Sequence, residues 1–183
     1  LGVGGANYSL MLERSLDWPT YRNVVIGAYG DPLSVSLMVN LLQMRWDQTE
    51  PTNVISDLPG NPIPGTPDKQ FLLHMSRADS EVPNVSTEYQ ARTMGLPVLS
   101  PALYEPFGIP EMPGPLSSAL VIFDGGYGNI PEGNVPPVEN EAHYLTRNSQ
   151  AGIEQIQIFF ETGEIVHTCG DDQVCDCTTT ACD

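Results

Sequence analysis

Phe71 to Pro83 reads FLLHMSRADSEVP: an apolar run, a turn of small residues carrying one acid, Asp79, and then Val-Pro leading into a helix. A short apolar run bounded by turn-forming residues predicts a buried strand. An acid at the tip of such a strand adds little to stability and sits where the ligands of a parallel sheet gather. Further along, Ala119 to Asp124 (ALVIFD) predicts a second apolar strand, and His143 follows it in a polar loop. Ala151 to Glu161 (AGIEQIQIFFE) then predicts a closing helix. Strands that alternate with helices imply parallel pairing, because parallel neighbours need a crossover connection. The fold class expected is therefore α/β, a parallel sheet with flanking helices.

Working outward, Leu1 to Ala6 (LGVGGA) reads as the end of a buried strand running into a Gly-rich turn. A chain that opens inside a strand leads us to expect a start in mid-domain. Asn7 to Trp18 is a mixed connector with helical character, and Tyr21 to Gly30 is the approach to the next helix. There Asp31 can cap and Pro32 suits the first helical position. Apolar residues at 33, 35, 37, 38, 41, 42 and 44 cover much of that helix's circumference, so Leu33 to Trp46 is expected to be largely buried. Pro51 to Pro67, with five prolines and two glycines, is a surface loop. Asn84 to Met94 predicts an amphipathic helix capped by Asn84 or Ser86 and ended by Gly95. Leu96 to Pro115 reads as a proline-rich connector with an aromatic pair, Tyr104 and Phe107. The last helix has a cap in Ser149, Ile153, Ile156 and Phe160 on one apolar face, and Gly163 beyond its end.

Charge narrows the classes of function. Seven basic residues against 23 acidic ones give 183 residues a net charge of −16. That excludes nucleic acid, since no basic surface exists to release counterions from phosphates. It equally disfavours anionic lipid, and no apolar run is long enough to cross a membrane as a helix. All four cysteines fall in the last fifteen residues, CGDDQVCDCTTTACD. With no C-x-x-C pair and only His167 nearby, structural zinc is disfavoured. Two disulfides stapling a tail over 166–183, beyond a domain over 1–165, are expected instead. They imply an oxidising compartment, hence a secreted, extracellular or periplasmic protein. No cofactor is expected. Asp171, Asp172 and Asp176 offer oxygens to calcium, but without the spacing of a helix–loop–helix site.

The predicted sheet has three carboxyl ends: Gly4 to Ser9, Ser76 to Asn84, and Asp124 to His143. A nucleophilic hydroxyl needs a histidine base, and that histidine needs a carboxylate to fix its tautomer. Asp79 and His143 are the candidate pair. Asp79 would serve equally as a turn acid or as a cap for the following helix. His74 lies within the apolar strand and is expected in the core, while His167 belongs to the tail. Asp124 is the runner-up acid, although Gly125 and Gly126 after it suggest a simple turn. No G-x-S-x-G occurs, and Ser9, in GGANYS, lacks the glycine two residues on that a nucleophile elbow requires. Neither is there a Gly-rich loop followed by Lys-Ser/Thr, so phosphate cradling is unsupported.

These residues resemble the carboxyl-terminal portion of an α/β-hydrolase, from Leu1 to about Gly163. The strand at 71–75 followed by DSEVP, and a lone loop histidine before the closing helix, carry the likeness. The resemblance implies the back half of that fold, with Asp79 as the acid and His143 as the base of a Ser-His-Asp mechanism. It implies that a preceding segment or partner chain supplies the serine, and that a small-molecule carboxylic ester is the substrate. It is similar to secreted bacterial lipase- or esterase-like members with cysteine-bearing tails. A peptidase of the same fold is the nearest alternative. A non-catalytic secreted module, calcium-dependent or adhesive, is the alternative from another class.

Overall fold

The computed structural model describes residues 1–170 and 172–183. In chain order its helices and strands are α1 (Tyr8–Met11), α2 (Trp18–Tyr29), α3 (Pro32–Trp46), β1 (Leu72–Ser76), α4 (Asn84–Thr93), β2 (Val98–Ser100), β3 (Glu111–Pro113), β4 (Ala119–Phe123), α5 (Ala142–Asn148) and α6 (Gln150–Thr162). The sheet order is β1-β4-β2-β3, and every pairing is parallel. β1 and β4 are matched residue for residue from Leu72↔Ala119 to Ser76↔Phe123. Outside β1, Leu1 to Val3 runs alongside as a further strand-like segment: Val3 N donates to His74 O at 2.9 Å, and His74 N to Leu1 O at 2.9 Å.

Every residue of β1 and β4 is buried, as expected of strands covered on both faces. Side chains alternate between the two layers. Leu73, Met75, Leu120 and Ile122 pack with Ala91 of α4 and with Met94 just beyond it. Leu72, Val121 and Phe123 pack instead with Ala151 of α6, Ile165 and the tail cysteines. The paired disulfides are Cys169–Cys175 and Cys177–Cys182. Between them the chain lies parallel to the end of β4, with Asp124 N donating to Cys175 O and Cys177 N to Asp124 O. Leu120 N, of the same parity as Asp124, bonds Pro97 O on the β2 side. The tail therefore takes up β4's open side where β2 stops.

Several expectations are corrected. The stretch read as a connector over 96–115 holds two strands, β2 and β3. They are three residues long, and β3 is an exposed edge, where Pro113 forfeits no ladder bond. The stretch expected to be an approach over 21–30 is itself helix: α2 begins at Trp18, with Pro19 in its first turn and no side-chain cap bond from Asp17. α3 does begin on Asp31, whose Oδ1 accepts from Ser34 N at 3.0 Å. It buries only the stripe Val35, Val39 and Gln43, and leaves Leu33, Leu37, Leu41 and Met44 exposed. α4 is capped by neither Asn84 nor Ser86 but follows Pro83 without a side-chain cap.

α6 has the predicted ends: Ser149 Oγ accepts from Gly152 N, and Gly163 adopts φ 74°. The buried face of α6 is Ala151, Gly152 and Gln155, whereas Phe160 is 81 % exposed. Of the predicted apolar stripe, Ile156 packs against the core while Ile153 and Phe160 face outward. His143 lies in the first turn of α5, not in a loop.

Candidate active site

Parallel strands end on one edge, and the turn after β1 is built there by two asparagines. Ala78 sits at φ 60°, in the left-handed region that costs a non-glycine residue strain. Its two peptide groups are held from opposite sides. Asn84 Oδ1 accepts from Ala78 N at 2.8 Å while its Nδ2 donates to Ser76 O at 2.6 Å. Asn140 Nδ2 donates to Ala78 O at 3.0 Å and to Val138 O at 2.8 Å, and its Oδ1 accepts from Ala142 N at 2.9 Å. One amide thus joins the residue before Asp79 to the residue before His143.

The result is a bonded pair. Asp79 is 2 % exposed. Its Oδ1 accepts from Glu81 N at 2.8 Å and Val82 N at 2.9 Å, while Oδ2 lies 3.0 Å from His143 Nδ1. Turn acid and imidazole partner, set apart as alternatives by the sequence, are the work of different oxygens of the same carboxylate. Because an ionised carboxylate only accepts, it fixes the proton of a neutral ring on Nδ1 and leaves Nε2 as the basic nitrogen. The ring stays partly exposed, and its Nε2 faces Glu81 Oε2 at 3.5 Å. Tyr144 meets the ring edge-on, at 5.5 Å between centroids.

The remaining candidates do not converge on this pair. His74 is buried on the α6 side of β1, its Nε2 2.7 Å from Gln155 Oε1 and its ring edge-on to Phe123. Burial pushes its pKa down to about 4. His167 contacts Pro101 O at 3.3 Å, and burial lowers its pKa as well. Asp124 is paired with Arg77 at 3.3 Å and accepts from Gly126 N. Ser9 belongs to α1, and its hydroxyl donates to Asn7 Oδ1 at 2.6 Å. Asp176 spends its carboxylate on Thr178, and Asp171 lies outside the described residues. Among the described residues no group of three His, Cys, Asp or Glu is placed to hold a metal ion.

Sequence reasoning missed Asn84, Asn140 and Glu81. Asn84 offers a helix cap in sequence, not a brace for the turn before it; Asn140 carries no signal at all, since its partners lie more than sixty residues away as well as beside it. No family model matches the chain, and no curated protein and no solved structure is significantly similar to it.

Proposed function

We propose that this chain is the acid- and base-bearing part of a secreted serine hydrolase of α/β-hydrolase type, cleaving carboxylic esters. A single observation carries the reading: a buried aspartate, pinned by two backbone N–H groups, presents its second oxygen to Nδ1 of a partly exposed histidine. The serine would come from a preceding segment or a partner chain, since the sequence holds no nucleophile elbow. His143 Nε2 takes the serine proton as its oxygen attacks the ester carbonyl. The imidazolium then returns that proton to the leaving alcohol, and water repeats the cycle on the acyl-enzyme. Asp79 holds the tautomer throughout and stabilises the imidazolium. The two disulfides support placement in an oxidising compartment.

Native material carrying any preceding segment or partner chain, treated with a fluorophosphonate probe, tests this. Covalent capture on a serine, lost in His143→Ala and in Asp79→Asn, is the expected result. Unchanged capture in His143→Ala removes this histidine from the chemistry.

The Glu81 contact favours a second reading. With carboxylates at both ring nitrogens, His143 would be a structural tie between the 79–82 turn and α5. Glu81→Gln separates the two: it lowers stability under the structural reading, and it leaves capture intact or faster under the hydrolase reading, where Glu81 must yield Nε2 to the serine.

A further inference from the structure

A cavity of about 180 Å³ abuts Asp79, and His143 is not part of its wall. Pro83, Val85, Ile130, Pro131, Val135 and Pro137 make most of that wall apolar. Its polar side chains are Asp79, Asn84 and Arg14. Asp79 has both oxygens occupied by Glu81 N, Val82 N and His143. Asn84 has its amide divided between Ala78 N and Ser76 O. Asp79 can only accept, and Asn84 keeps a single unused Nδ2–H. Arg14 differs: one Nη donates to Leu10 O at 2.8 Å, and among the described residues no carboxylate pairs with it. A guanidinium carries five N–H donors, so donors remain for a ligand.

We propose that this cavity binds a short-chain monocarboxylate, its hydrocarbon end among the proline, valine and isoleucine side chains and its carboxylate on Arg14. The cavity is open past the exposed Ile130 and Val135, so an alkyl chain beyond about six carbons would reach solvent and gain nothing further. The occupant is apolar at one end because an unpaired polar group would be stranded there. It is anionic at the other because a charge-assisted bond to Arg14 is the strong polar contact on offer. The carboxylate site does not rest on the hydrolase reading.

The test titrates the full chain, labelled at valine and isoleucine methyls, with straight-chain carboxylates from acetate to octanoate. Methyls of Val85, Ile130 and Val135 should shift saturably. Affinity should tighten about fourfold per added methylene, and stop tightening beyond about six carbons. Arg14→Gln should weaken hexanoate about tenfold and leave 1-pentanol unchanged. Val85→Trp, on a partly exposed helical position, should abolish binding of both. Absence of saturable shifts at every length, an affinity indifferent to chain length, or full binding in Arg14→Gln would each overturn the proposal. Hexanoate binding is measured without turnover and should persist in His143→Ala. A failed titration therefore speaks to this site, and a failed fluorophosphonate capture to the hydrolase reading.

Discussion

His74 and His143 carry the same ring and differ in what faces it. His74 meets a neutral amide in the core, and burial holds its pKa near about 4. In the unfolded chain the ring takes up a proton near about 6.5. Between those two values the unfolded state binds a proton that the folded state refuses, so stability falls as pH falls through that window. The loss approaches about 3 kcal/mol by about pH 4. Urea midpoints should drop over that range in the wild type, and the drop should be shallower by this amount in His74→Gln, which keeps a donor for Gln155. Asn140 is tested differently, because its role is to place groups. Asn140→Ala removes bonds to Ala78 O, Val138 O and Ala142 N. At about 1 kcal/mol for each, the variant should lose about 2–3 kcal/mol in urea unfolding. It should also broaden or erase the His143 Nδ1–H proton resonance while the His74 ring signals stay in place. Loss of stability with an unchanged His143 resonance would leave Asn140 a prop of the fold and nothing more.

At the scale of elements, α5 and α6 are joined through Ser149 alone, so the helix bearing His143 is aimed by the helix behind it. A Cβ added at Gly152 would run into the Thr146 carbonyl oxygen of α5, backbone that cannot swing aside. Gly152→Ala should therefore cost about 3 kcal/mol in chemical denaturation, although alanine is the better helix former. It should also disturb the Asp79–His143 resonance; a silent substitution would show that the elbow is slack. This junction marks where sequence was legible and where it was not. β1 and β4 could be read because strands buried on both faces must be continuously apolar, and from them came Asp79 at a strand tip. The ends of α3 and α6 could be read because Asp31, Pro32, Ser149 and Gly163 are local signals. The faces of those helices could not. Leu33, Leu37 and Leu41 look like core yet stand exposed, and Gln155 looks like surface yet is fully buried, bonding His74 and Val166 O. Burial is decided by what packs opposite, which no window of one helix contains. β2 and β3 were hidden for the same reason, their short strands being defined by partners rather than by a pattern of their own.

The molecule as a whole is an acidic chain whose last segment is drawn into its core. Cys169, Cys175 and Cys182 are buried beside Leu99, Phe123 and Ile165, and the segment between the disulfides is hydrogen-bonded to the end of β4. The bridges close loops with sequence separations of 6 and 5. Loops that short restrict the unfolded chain by about 2 kcal/mol apiece. If the tail folded apart from the sheet, only the tail would register their loss. Because it shares a core with β4 and α6, the whole unfolding transition should move: reduction should lower global stability by about 4 kcal/mol, and Cys177→Ser with Cys182→Ser by about half of that. The net charge of −16 acts in the same direction, since self-repulsion favours any expanded state. Raising salt from about 0.01 M to about 1 M shortens the screening length about tenfold. It should therefore recover part of the stability lost on reduction, read as a rise in the urea midpoint of the reduced protein. A reduced protein that unfolds at the same midpoint as the oxidised one would detach the tail from the fold, and with it the argument that these cysteines serve the sheet's carboxyl edge.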